Sequence, residues 1–223
     1  MDTLKIPIST RAGSPPLLVA GLLAMLAGAV DAIGYIMLGQ LFVAFMSGNS
    51  TVLAVSLVDG NWGEAGRAAW IVAAFVAGVS FGTMLGPVTR GYHMPAVMGS
   101  VTALLTLAAA WSGTGMVPVT AMVFAMGAMN AATDTAGGVP VSLTFVTGAL
   151  VRFGRGLGHA MMGDRSDLKW LAQAVIWGGL VVGAALGAAG HLMLGRNALW
   201  GTAAVAGVLT ALTAAIPRLR GVR

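Results

Sequence analysis

The sequence has no cysteine, and only 9% of its residues are charged. The first absence excludes disulfides, thiol nucleophiles and cysteine-based metal sites. The second excludes an ordinary water-facing surface, since soluble domains carry roughly 25% charged residues. Acids are scarcer than bases: seven Asp and Glu stand against 12 Lys and Arg, a formal net charge of +5. No aromatic-basic surface of the kind that binds nucleic acid accompanies that excess. Basic residues beside membrane spans set orientation instead. No long polar linker divides the chain. What remains is apolar and small: 57% hydrophobic residues and 33 Gly in 223. Such a composition suits helices packed closely in lipid.

Six apolar runs are long enough to cross a hydrocarbon core of ~30 Å, which takes roughly 17–25 residues. They are Leu17–Leu38, Trp70–Val88, Met94–Trp111, Val117–Ala132, Trp170–Leu194 and Ala198–Ile216. The first is too long for a signal-peptide core of about 7–15 residues, although Lys5 and Arg11 precede it. Two further runs are ambiguous. Leu41–Val58 is interrupted by "MSGNST", and Val139–Val151 is short and ends at Arg152. The polar stretch 152–169 reads as a cytoplasmic connection. Trp62, Trp70, Trp111, Trp170 and Trp200 lie near span ends, as interfacial anchors do.

The chain also matches itself. Gly28, Ala29, Asp31 and Ala32 align with Gly127, Ala128, Asn130 and Ala131. Phe45, Ser47 and Gly48 align with Phe145, Thr147 and Gly148, and Gly78, Gly82 and Gly86 with Gly179, Gly183 and Gly187. The order is kept, which predicts a duplication with halves at about 17–112 and 117–216. Three crossings per half would invert the second half; four would make the repeats parallel. Either count leaves two of the 12 Lys and Arg outside when both termini are cytoplasmic. Charge therefore orients the chain without counting its helices.

Asp31 stands about two-thirds along the first span, in "VDAIGY". An acid at the centre of a membrane helix costs roughly 2.5–3.5 kcal/mol, so such residues face a bundle interior or a watery cavity. Asn130 and Asp134 are one helical turn apart in the second half. By the internal alignment Asp31 pairs with Asn130, and Tyr35 with Asp134. These four side chains are expected to line one polar site where the halves meet. The structural alternative is that they bind neighbouring helices together. Ser47 to Thr51 admit two readings: a helix broken beside that site, because Gly frees the backbone and Ser, Thr and Asn compete for its hydrogen bonds, or a continuous helix whose small polar residues touch a neighbour. The stripes Gly78-Gly82-Gly86 and Gly179-Gly183-Gly187 recur every four residues on one face and predict close helix packing. His93, His159 and His191 have no carboxylate at ligand spacing, so no metal is expected. No phosphate-binding loop ending in Lys-Ser/Thr is present, and no cofactor is expected.

The segment "AGAVDAIGYIMLGQLFVAFMSGNSTVLAVSL" resembles the YoaK-like family of bacterial membrane proteins, a domain of unknown function. Gly28, Asp31 and Ala32, then Phe42, then Ser47-Gly48-Asn49 carry the resemblance, which extends from about Leu17 to Ile216. It implies a bacterial inner-membrane protein, usually described with six spans, and supplies no substrate. The second half departs by reading "TGA" where the first reads "SGN".

The expectation is an all-α integral membrane protein, a single transmembrane domain over 17–216 between cytoplasmic tails 1–16 and 217–223. It has six full spans plus two shorter or broken helices, with eight spans as the alternative. The expected function is transport of a small solute or ion through a site at Asp31, Tyr35, Ser47, Asn49, Asn130 and Asp134. A non-catalytic membrane scaffold is the rival. An intramembrane hydrolase with paired acids is disfavoured, since the chain lacks a "GxGD" signature; the chain is read as not an enzyme. Lipid and a small solute or ion are the expected partners, and the oligomeric state is not readable.

Overall fold

The computed structural model describes residues 15–89, 91–113, 115–133, 146–164 and 170–216. Among these residues all regular structure is helical. The chain runs through α1 (Pro15–Leu38), α2 (Met46–Val58), α3 (Trp62–Thr89), α4 (His93–Ala110), α5 (Met116–Thr133), α6 (Val146–Met161), α7 (Leu171–Leu194) and α8 (Ala198–Ala215). Four stretches are long and apolar enough to cross a membrane: Leu17–Leu38, Trp62–Thr89, His93–Ala110 and Leu171–Ala215. The last of these contains both α7 and α8, separated by a 3-10 turn at Gly195–Asn197. Met116–Ala132 is apolar but shorter.

Local chemistry sets the boundaries. Asn61 Oδ1 accepts from the Glu64 amide at 3.2 Å while Asn61 Nδ2 donates to Glu64 Oε2 at 3.0 Å, a reciprocal cap. That cap starts α3 at Trp62, two turns ahead of the expected Trp70. Trp70 is therefore inside the helix, where its Nε1 donates to Thr120 Oγ1 at 2.9 Å. Gly91, at φ +96°, makes the turn into α4, whose first turn carries Pro95. Gly195, at φ +59°, closes α7. Residues 152–161, expected as a polar connection, belong to α6.

Glycine governs the main helix contacts. A Cβ on Gly179 would lie 2.6 Å from the Gly21 carbonyl oxygen, and one on Gly82 the same distance from that of Ala128. Gly183 and Gly187 lie against the carbonyls of Met25 and Ala29, and Gly78 against that of Phe124. The reverse contacts exist too: Gly28 meets Leu180, and Gly127 meets Phe75. Gly86 differs, facing the His93 ring at 3.8 Å. Contact positions rise together in both helix pairs, so α1 runs parallel to α7 and α3 parallel to α5. The pair α4 and α8 is opposite. Thr102 and Thr210 share a hydroxyl hydrogen bond of 3.0 Å near their middles. Arg196, just before α8, donates to carbonyls of Trp111, Ser112 and Gly113, just after α4. These two helices are antiparallel.

Gly183→Val should cost about 1–3 kcal/mol by overpacking at the α1–α7 seam, read as a lower unfolding temperature in detergent. Gly178→Ala is the control, since nothing lies within 4 Å of its Cβ position.

Candidate functional site

The break in the first half falls at residues 39–45, ahead of the Ser47–Thr51 stretch that one of the two readings breaks. Gly39 at φ +64° and Gln40 at φ +80° end α1 and turn the chain back on itself. Ser47 to Thr51 then lie inside α2, where Ser50 Oγ donates to Met46 O at 2.8 Å and Thr51 Oγ1 to Ser47 O at 3.1 Å. The hydroxyls thus follow the helix. The polar side chain that leaves it is Asn49.

The returning segment is seated deeply. Leu41, Val43 and Ala44 are buried. Gly34 makes the room: a Cβ there would collide with the Val43 side chain. Gly48 makes the opposite wall, since its Cβ would lie 2.9 Å from the Phe42 ring and 3.0 Å from that of Phe45. Phe42 packs against Phe45 edge-on at 5.4 Å and against Tyr35 at 4.9 Å.

Asp31 and Asn49 bond this segment's backbone. Asp31 Oδ1 accepts from the amides of Val43 and Ala44, both at 2.7 Å. Asn49 Oδ1 accepts from the Phe42 amide at 2.8 Å, while its Nδ2 donates to the Phe42 carbonyl at 2.7 Å. Asn49 is fully buried. One acid and one amide therefore satisfy four backbone groups with no helix or sheet partner of their own. Asp31 is half-buried, and its hydrogen bonds use Oδ1 alone. A carboxylate with two amide donors on one oxygen and a second oxygen still open is able to accept a proton, a cation or a donor group.

The other expected members are placed differently. Tyr35 is exposed, its ring tilted against that of Phe42. Asn130 Nδ2 donates to Met126 O one turn back at 2.8 Å. Asp31 is bonded to the 39–45 segment and not to Asn130. Asp134 lies outside the described residues. An apolar cavity of about 280 Å³ opens elsewhere, between α1, α7 and α8, where Met25, Ala29, Ile33, Gly187 and Leu194 are among its walls. Asn197 and Thr202 are its polar wall residues, and Asp31 is not part of it. Sequence reading missed Gly34 and the backbone of Phe42–Ala44. Only the spacing of Asp31, Phe42 and Asn49 hinted at them.

A family profile described as "Protein of unknown function (DUF1275)" matches residues 19–212. The chain belongs to this family. It is 40% identical over 211 residues to the UPF0700 transmembrane protein RA0705 of Rhizobium meliloti (strain 1021), covering 95% of this chain and 92% of the relative. No solved structure matches it. The chain is thus a helical membrane protein of an uncharacterised family, and the segment carrying the family resemblance is the one that forms the Asp31–Asn49 clamp.

Asp31→Ala should leave the Val43 and Ala44 amides without an acceptor, at about 1–3 kcal/mol each. Asp31→Asn keeps an acceptor oxygen and should cost much less. Thermal unfolding of the purified variants reads this order; equal losses would contradict the clamp.

Proposed function

We propose that this protein is a permease for a small solute or ion, built as two inverted halves in a bacterial inner membrane with both termini cytoplasmic. The observation that carries the reading is the half-helix α2. It rises from a re-entrant segment fastened at the level of Asp31, inside the first span. Its 13 residues reach about 20 Å, short of the ~30 Å core. Non-helical backbone at such depth occurs where it is buried in protein or lines a cavity, and broken helices of this kind form solute sites in transporters.

Inversion is supported by the contacts. Gly99 faces Thr210 at 3.9 Å and Gly207 faces Thr102 at 3.7 Å, around the central Thr102–Thr210 bond. The sequences there, "GSVTAL" from Gly99 and "GVLTAL" from Gly207, are alike. An exchange of halves maps the contact of Gly78 with Phe124 onto that of Gly183 with Met25, and Gly82–Ala128 onto Gly187–Ala29. Gly78 and Gly82 then correspond to Gly183 and Gly187, one turn further along than residue matching alone aligns them. Antiparallel α4 and α8 agree with three crossings per half and six in all, with α2 and α6 as the shorter helices. The halves also differ at their seams. Leu85 and His93 stand where the 280 Å³ cavity has Gly190 and Gly201. One seam is filled and its counterpart is open, an asymmetry that suits alternation between two states.

A second reading, a non-catalytic membrane scaffold, is favoured by the two backbone amides that Asp31 already serves. Reconstituted vesicles separate the two. The permease reading expects proton flux, or uptake from a panel of labelled small solutes, reduced at least tenfold by the folded variant Asp31→Asn. No flux, or flux indifferent to that variant, leaves the scaffold. Six crossings also predict that, in this cysteine-free chain, Asn61→Cys reacts with an impermeant thiol reagent from outside while Tyr92→Cys does not. Eight crossings predict the reverse.

A further inference from the structure

We propose that α6 is an interfacial helix that binds the anionic phospholipid surface of the leaflet beside it, holding the first turn of α7 at the membrane boundary. This does not depend on the permease reading. At 16 residues, with Arg152 and Arg155 mid-helix, α6 is too short and too charged to span. Its residues divide into three faces. Ala149, Phe153, Gly156 and Ala160 recur at helical spacing and are the less exposed set. Phe153 meets the Trp170 ring edge-on at 5.3 Å, and Gly156 lies so close that a Cβ would collide with Trp170. Arg152 Nε donates to Gln173 Oε1 at 3.1 Å.

The second face, Leu150, Leu157 and Met161, is apolar and exposed. The third is basic: Arg152, Arg155 and His159, with no acid anywhere in the helix. At 100° per residue the basic face lies roughly opposite the exposed apolar one. An apolar stripe opposed to an Arg-rich stripe is the pattern of helices lying in the headgroup boundary, tails on one side and anionic headgroups on the other. The contacts of Arg152, Phe153 and Gly156 fasten α6 to the start of α7, and Trp170 is an aromatic of the type that anchors at the bilayer boundary. Charge complementarity thus identifies the occupant as anionic phospholipid rather than zwitterionic lipid.

The test uses the full-length protein in nanodiscs. Single cysteines at Leu157→Cys and Arg155→Cys carry an environment-sensitive fluorophore. Tail-brominated lipid should quench the label at 157 several-fold more than that at 155. Wild type should retain phosphatidylglycerol over phosphatidylcholine during purification, with Arg155→Gln lowering that preference roughly fivefold and Arg155→Lys preserving it. Equal quenching at both positions, or retention of the two lipids that Arg155→Gln leaves unchanged, overturns the proposal. So does exposure of both labels to aqueous iodide with no bromolipid quenching, the result expected if a water-soluble acidic protein covers this face.

Discussion

Backbone amides and carbonyls cannot be left unbonded in hydrocarbon, where each orphan costs several kcal/mol. The first half of this protein is arranged around that constraint. After α1 the chain folds back along it to the level of Asp31, and residues 41–45 do not bond to themselves as a helix does. Asp31 takes two of their amides, and Asn49 brackets the Phe42 peptide from both sides. The cost of the acid, roughly 2.5–3.5 kcal/mol, is offset by hydrogen bonds to a charged acceptor, about 1.5–3 kcal/mol each. A solitary carboxylate in an apolar span becomes reasonable because the backbone beside it lacks an acceptor.

The remaining architecture serves close approach. Gly34 admits Val43, and Gly48 admits the Phe42 and Phe45 rings. Along the two parallel seams, glycines on each helix sit against carbonyls of the other, so α1–α7 and α3–α5 pack backbone to backbone. Lipid offers no hydrophobic drive between helices, and van der Waals contact of this kind must supply it. The pairing of α4 with α8 adds a polar contact, Thr102 to Thr210, in which one hydroxyl donates to the other while the acceptor's own proton goes to a carbonyl one turn back.

Much of this was legible in the residues. Apolar runs mark the helices, and Gly78, Gly82, Gly179, Gly183 and Gly187 lie on faces that meet, whereas Gly86 faces the His93 ring. Of the six residues expected to share one site, Asp31 and Asn49 both bond the 42–44 backbone, and Asn130 donates to a carbonyl of its own helix. Polar side chains in a span suggest a shared centre, whereas the partners here are main-chain groups that no residue pattern displays. Of the two readings of "SGNST", the continuous helix is the one found, and the break lies ahead of it at 39–45. Ser and Thr in "SGNST" look like helix breakers, yet their hydroxyls bond one turn back and leave α2 intact. The part of α6 from residue 152 on was hidden because Arg152 and Arg155 resemble a loop until the opposed apolar face is placed at 100° per residue. The start of α3 was hidden by Asn61 and Glu64, which look like loop polarity and act as a cap.

Amide hydrogen exchange resolved at Val43 and Ala44, in the full-length protein in lipid, tests the clamp most directly. Both amides are expected to exchange as slowly as those inside α1 and α2, and orders of magnitude faster in Asp31→Ala. Exchange in the unaltered protein as rapid as at an unbonded surface turn would contradict the account.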